Sequence, residues 1–175
     1  LLERLQRRRP RYDRDQDQHF NLVSALHKAV RGSDPDAALY WLCRMLEAGE
    51  DPRYLARRLV RMASEDVGLA DPDALPATLA AAQAYERLGS PEGELALAQA
   101  TVHLATAPKS NAVYVAYEEA RAAAREAGSL PPKPISVNAP TALMRELGYA
   151  EGYAYDHDAP GGFAGQDHFP LGFER

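Results

Sequence analysis

Signals that start and stop helices alternate along this chain and leave little room for other structure. Asp or Ser precedes Pro four times, at residues 34–35, 51–52, 71–72 and 90–91, and glycines follow at 49, 68, 89 and 128. Asp and Ser cap the amino ends of helices, Pro fits the first turn, and Gly ends helices. Between these signals, apolar residues recur at helical spacing. No run of β-branched residues alternates with period two, so we expect no substantial sheet.

The same signals predict six main helices with short connections. Their expected limits are 18–31, 35–48, 52–67, 72–88, 91–105 and 111–127, and Ser110 should cap the last. Short connections make neighbouring helices turn back on each other. The predicted fold class is therefore all-α, an array of antiparallel helix pairs. Prolines 131, 132 and 134 exclude a helix interior from the next segment, and a brief helix should follow at 140–147.

Composition divides the chain into three parts. Six arginines crowd the first fourteen residues, and the chain begins at Leu1, so we interpret residues 1–16 as a connector from a preceding region. Residues 17–148 hold the predicted helical domain. Residues 149–175 mix Gly and Pro with Tyr and Phe and are too aromatic for a disordered segment. We expect this tail to be an ordered coil that lies on the helices.

Charge and hydropathy limit the function. The net charge of −5 argues against electrostatic adhesion of the whole domain to nucleic acid. The single cysteine, Cys43, excludes an internal disulfide and fits a reducing compartment. No window approaches the roughly 18 consecutive apolar residues of a membrane span, and there is no secretory signal. We predict a cytoplasmic location and no membrane partner.

Motifs for chemistry are missing from the sequence. It contains no Gly-rich phosphate loop, no nucleophile elbow and no zinc-ligand spacing. We predict no enzymatic activity for this chain and no catalytic, cofactor-binding or metal-binding residue. Tail residues 156–158 and 167–168 could converge on a metal but are better interpreted as solvated loop groups. We interpret His27 and His103 as ordinary helix histidines and Cys43 as a buried small hydrophobe. Neither Glu65 nor Asp66 has an evident partner that would make a catalytic carboxylate pair.

A first candidate surface is Lys109, Ser110 and Asn111. A helix amino end offers free N–H groups and partial positive charge, and Lys109 beside it would suit an anion. The simpler interpretation is that Ser110 only caps the helix while Lys109 is solvated. These residues stay a candidate surface for an anion, DNA or a partner protein.

A second candidate surface is a stripe of arginines on the third helix. Arg53, Arg57 and Arg61 stand at i, i+4 and i+8, with Arg58 beside them. Like charges at this spacing repel unless they have partners. The partners could be acids of this chain such as Glu47 or Glu65, acids of another subunit, or phosphates of nucleic acid.

The second helix indicates assembly. Its residues 37–46 are apolar almost all round, and such a helix must be surrounded. The surround could be neighbouring helices alone or helices and another subunit. The candidate core or interface residues are Tyr40, Trp41, Met45 and Tyr114.

Four ordered segments resemble one family. They are SALHKAVRGSDPDAALYWL at 24–42, EAGEDPRYLARRLVRMASEDVGLADP at 47–72, PEGELALAQATVHLATAPKSNAVY at 91–114 and NAPTALMRELGY at 138–149. The chain resembles the C-terminal helical domain of the replication-associated recombination protein A family, which are clamp-loader-like AAA+ ATPases related to the Werner-helicase-interacting protein. The resemblance runs from about Tyr12 to the end of the chain.

The resemblance implies a function for the parent protein. It implies a DNA-dependent ATPase that uses ATP and Mg at stalled replication forks, with single-strand-binding protein as a possible partner. This domain would hold it as a homotetramer, and residues 1–16 would connect to the ATPase and lid region. No ATP-site residue of the family matches a position here, so no cofactor is expected in this chain. The alternative is a monomeric helical module that docks a replication partner protein.

Overall fold

The computed structural model describes residues 16–173, and within that range the regular elements are helices without a strand. The α-helices are α1 (Gln16–Arg31), α2 (Pro35–Glu47), α3 (Pro52–Met62), α4 (Ala74–Leu88), α5 (Glu94–Thr106), α6 (Ala112–Ala127) and α7 (Ala142–Glu146). The prediction of an all-α fold is confirmed. The predicted connector lies outside the described residues except for its last residue. None of the described helices is long and apolar enough to cross a membrane.

Two helix starts follow the predicted capping. The carboxylate of Asp34 accepts a hydrogen bond from Ala37 N at 2.9 Å, and that of Asp51 accepts one from Arg53 N at 2.9 Å. Each bond satisfies an amide that has no partner within its helix. The predicted limits of α2 are therefore correct to within a residue.

Two other starts are later than predicted. Asp71 accepts a hydrogen bond from Asp73 N at 3.1 Å and forms a local turn, so α4 begins at Ala74 rather than residue 72. Residues 91–93 likewise form turns, and α5 begins at Glu94 rather than 91. Pro next to Asp or Ser marks the region of a start but does not decide which residue is first.

The third helix also ends differently. It was expected to run to Val67 as one helix, but α3 stops at Met62 and continues as a π-helical turn, Ala63–Val67, and a 3-10 turn, Gly68–Ala70. Asp66 lies in this π-helical turn, is buried, and is a residue of the site described below.

The core lies among α1 to α5. In that core α1 packs on α2, α2 on α5, and α5 on α4. The largest fully buried side chains are Leu26, Leu42, Met45, Leu55, Leu59, Met62, Leu97 and Leu104. They come from α1, α2, α3 and α5, so the packing of these four helices against one another stabilises the fold.

The described residues form two compact units that divide between Glu118 and Glu119, inside α6. The second unit holds the end of α6, α7, the coil and three 3-10 turns, Pro134–Ser136, Asp156–Asp158 and Pro160–Gly162. Within it Lys133 Nζ lies 2.6 Å from Asp167 Oδ2, and Leu171 N donates to Pro131 O at 3.0 Å. These bonds join the tail to the proline-rich segment. The sequence-based boundary at residue 148 falls inside this unit.

Candidate functional site

A buried carboxylate, Asp66, organises the most highly charged part of the first unit. Asp66 lies on the π-helical turn and is only 4% exposed. Its Oδ1 accepts a hydrogen bond from Arg31 Nε at 2.5 Å, and its Oδ2 lies 2.5 Å from His27 Nε2. Both partners stand on α1, so Asp66 ties α1 to the end of α3. A carboxylate removed from water requires partners of this kind.

Three more charged groups extend this network. Glu65 accepts hydrogen bonds from Arg31 Nη2 at 3.3 Å and from Arg61 Nε at 2.6 Å. Arg58 Nη2 lies 3.4 Å from His27 Nδ1. The bond to Asp66 raises the pKa of the Arg31 guanidinium above its ordinary value, with burial opposing it. We define the charged network as His27, Arg31, Arg58, Arg61, Glu65 and Asp66.

The network gives Glu65 and Asp66 basic partners, of which the sequence indicated only the pairing of Glu65 with the arginines of the third helix. Their partners on α1 are separated from them by 34 to 39 residues, and only the fold brings them together. One local signal did exist. His27 and Arg31 stand four residues apart on one face of α1, which is the spacing of two groups that can reach a common acceptor.

The same position contains a group of possible metal ligands. His27, Glu65 and Asp66 bring one ligand atom each within 4.8 Å of one another. However, the same carboxylates accept hydrogen bonds from Arg31 and Arg61, and a metal cation would have to displace both guanidinium groups. The arrangement therefore fits an ion-pair network better than a metal centre.

A cavity of about 390 Å³ opens beside the network. Its lining residues are Arg31, Glu65, Asp66, Lys109, Ser110, Asn111 and Tyr114. The first candidate surface and Tyr114 therefore lie next to the charged network. The sequence showed both groups of residues but gave no sign of their proximity.

Lys109 is held by protein groups and is not simply solvated. Its Nζ donates to Ala107 O at 2.5 Å, to Ala105 O at 3.1 Å and to Ser33 Oγ at 3.2 Å. Burial lowers the pKa of Lys109, and the nearby charge of Asp66 opposes this. The three ammonium protons all have acceptors, so Lys109 fastens the carboxyl end of α5.

Ser110 is fixed by the π-helical turn. Its backbone N donates to Asp66 O at 2.8 Å, and its Oγ accepts from Ala112 N at 3.4 Å, as expected for a helix cap. A Cβ added to Gly68 would lie 2.7 Å from Ser110 O, and Gly68 has φ +54°. Only glycine allows this close approach without strain. Asn111, next along the chain, is exposed.

The arginine stripe is neutralised in part within the chain. Arg61 pairs with Glu65, one of the two acids anticipated, whereas Arg53 Nε pairs with Glu86 of α4 at 2.8 Å rather than with Glu47. Arg57 packs over the Tyr54 ring at 5.7 Å and has no carboxylate partner within residues 16–173.

The second helix is less enclosed than its composition indicates. Met45 lies in the core, but Tyr40 is 58% exposed and Cys43 is exposed, which corrects the expectation of a buried cysteine. The Tyr40 ring meets Trp41 edge-on at 5.1 Å, and Arg44 lies 5.2 Å from the Trp41 ring. The core covers one face of α2 and holds Trp41 partly buried against it, whereas the neighbouring Tyr40 is exposed.

Comparison with known proteins gives a consistent result. Residues 32–175 match the family described as MgsA AAA+ ATPase C terminal. Replication-associated recombination protein A of Haemophilus influenzae is 52% identical over 97% of this chain and 38% of its own length. The Escherichia coli K12 protein of the same name is 51% identical over the same shares. ATPase WRNIP1 of Dictyostelium discoideum is 49% identical over 87% of this chain and 18% of its length. This chain thus spans less than two fifths of these relatives.

Proposed function

The chain belongs to the MgsA AAA+ ATPase C-terminal family, and from this premise we propose that it holds a replication-associated AAA+ ATPase together as a homotetramer. The relatives named Replication-associated recombination protein A and ATPase WRNIP1 support a parent ATPase that acts in replication and recombination. The chain has no phosphate-loop motif, so ATP and Mg belong to another part of the parent. The proposed role of this domain is structural.

The apolar surface of α6 carries this proposal. This helix of 16 residues contains no buried residue, although its first half is largely apolar. Its large apolar side chains are between 42% and 58% exposed: Val113, Tyr114, Val115 and Tyr117. Covering such a surface gains about 25 cal/mol per Å² of apolar area. A second copy of the chain could supply that cover.

A second exposed aromatic side chain supports a tetramer over a dimer. Tyr40, which meets the partly buried Trp41 edge-on, is exposed on α2, apart in sequence from the α6 residues. A dimer with a two-fold axis uses one self-complementary patch, whereas a closed tetramer uses two contact surfaces on each subunit. The α2 and α6 surfaces would provide two.

The proposed mechanism is geometric. Four ATPase units held together reach DNA at a high effective concentration and in a fixed mutual orientation. The net charge of −5 indicates that DNA contact belongs mainly to the parent's other domains. On this proposal the parent hydrolyses ATP in a DNA-dependent reaction at stalled forks, near the nucleoid of the cytoplasm, with single-strand-binding protein as a partner.

Light scattering after gel filtration tests the assembly. The chain has a mass of 19.2 kDa, and we expect a particle of four times that mass at tens of micromolar. Val113→Glu should reduce the mass because it places a charge on the α6 surface. Leu143→Glu makes the same kind of change on α7 at a residue that is also exposed, and should leave the mass unaltered. A wild-type chain of 19.2 kDa throughout would reject the proposal.

The alternative is a monomeric module that docks a replication partner. The observation that favours it is an apolar groove between α3 and α4. The two functions differ in the mass of the free chain, so the same experiment separates them.

A further inference from the structure

A groove with a volume of about 540 Å³ runs between α3 and α4. Its apolar lining residues are Ala56, Val60, Leu79 and Ala82, and its polar ones are Arg53, Arg57, Gln83, Glu86 and Arg87. The apolar residues Ala56, Val60 and Ala82 are buried or half-buried, whereas the three arginines are exposed. The groove therefore has an apolar floor and a mainly basic rim.

The rim carries positive charge that the chain does not neutralise. Glu86 is bound by Arg53 through two bonds, at 2.8 and 3.2 Å. Arg57 and Arg87 have no carboxylate partner within the described part of the chain. The rim thus has an excess of two positive charges on a chain whose net charge is −5. A positive rim on a chain of negative net charge would attract an acidic ligand to the groove selectively.

The floor determines what kind of acidic ligand fits. Two of its four residues are alanines, which leave room for large side chains from a ligand. The lining residues of α3 recur at i, i+3, i+4 and i+7 and those of α4 at i, i+3, i+4, i+7 and i+8, so each helix lines the groove with one of its faces. An amphipathic helix with large apolar residues three positions apart matches such a groove. Phosphates of nucleic acid would use the arginines and leave the floor exposed to water.

We propose that the α3–α4 groove docks an acidic amphipathic helix of a partner protein. Two leucine-sized side chains of the partner occupy the floor over Ala56 and Ala82, and its carboxylates pair with Arg57 and Arg87. The Arg53–Glu86 ion pair joins the two helices at the rim of the groove. This inference specifies the partner chemistry of the docking alternative named above, and it holds whether or not the chain assembles.

Fluorescence anisotropy provides the test. The probe is a labelled synthetic helix of about 14 residues, rich in Glu and Ala, with two Leu three positions apart. We expect saturable binding to the 175-residue chain. The double variant Arg57→Glu, Arg87→Glu should weaken binding by about tenfold or more. Leu79→Gln, which keeps the charge but makes the floor polar, should also weaken it, with circular dichroism confirming that the helices are intact.

Matched controls separate the groove from general charge. The variant Arg125→Glu, Arg145→Glu makes the same change of charge at exposed residues of α6 and α7 and should bind normally. A probe with Ser in place of both Leu should not bind. Absence of saturable binding, equal binding of the Ser probe, or equal weakening by the control variant would overturn the proposal. A loss of particle mass in the Arg57 and Arg87 variant would also overturn it, because the groove would then be a contact between copies.

Discussion

Asp66 connects two helices that are distant in the sequence. Its two carboxylate oxygens are occupied by His27 and Arg31, and the residue is buried. Asp66→Asn would remove the negative charge and leave the Arg31 guanidinium without its main partner. We expect the free energy of unfolding to fall by roughly 2–3 kcal/mol, less than for a fully buried pair because Arg31 is itself exposed. Urea denaturation followed by circular dichroism measures this.

Glu92→Gln is the control for that experiment. Glu92 is an exposed acid in the turn before α5, and its neutralisation should change stability by no more than about 0.5 kcal/mol. An equal fall in the free energy of unfolding in both variants would show that Asp66 affects stability only through the net charge of the chain.

Lys109 gives stability a pH dependence of known sign. Burial lowers the pKa of Lys109 in the folded chain below its ordinary value of 10.5. The unfolded chain therefore holds the proton of Lys109 more tightly than the folded chain. As a result, the contribution of Lys109 to the free energy of unfolding rises with pH between the pKa of the folded chain and that of the unfolded chain. Wild type should gain stability relative to Lys109→Gln as pH rises toward 10.5, the ordinary pKa of lysine. A difference that is flat or falls with pH in urea titrations would contradict this.

Local rules explain which residues could be assigned from the sequence. Asp34 and Asp51 act on amides two or three residues away, and capping predicts them. His27 and Asp66 are 39 residues apart, and no local pattern reports their contact. Cys43 was misjudged because composition describes a whole helix, whereas burial depends on which face meets the core.

At the scale of the elements, the helices were predictable and the turn after α3 was not. Helical periodicity and the start and stop signals predicted all seven α-helices in the described range, and the errors lie mainly at the helix ends. A π-helical turn forms where tertiary contacts stabilise one wider turn of the helix. Helix propensity depends on local sequence and does not predict such a turn. The charged network and its cavity depend on that turn, so they could not be predicted either.

Gly68 tests how closely this turn and the segment before α6 must approach. Gly68→Ala introduces strain at positive φ and places a Cβ 2.7 Å from Ser110 O. Gly89→Ala introduces comparable strain with nothing within 4 Å of the new Cβ. We expect Gly89→Ala to cost about 1 kcal/mol and Gly68→Ala roughly 2 kcal/mol more. Equal losses in thermal unfolding would mean that the contact with Ser110 relaxes freely.

At the scale of the whole molecule, assembly should be visible in stability. If four copies unfold together, mass action makes the melting temperature rise with chain concentration. We expect a rise of a few degrees across about a hundredfold range for wild type and Leu143→Glu, and a flat response for Val113→Glu. A concentration-independent melting temperature for wild type would contradict tetramer formation in the proposed range. Differential scanning calorimetry measures it.

The outward position of Cys43 has a practical consequence. It is the sole thiol of the chain and stands on α2 two residues beyond Trp41. A maleimide dye would attach at one known point, and its rate of attachment would report whether neighbouring copies shield that side of the helix. Rapid labelling of dilute chains and slow labelling of concentrated ones would map the contact without any mutation.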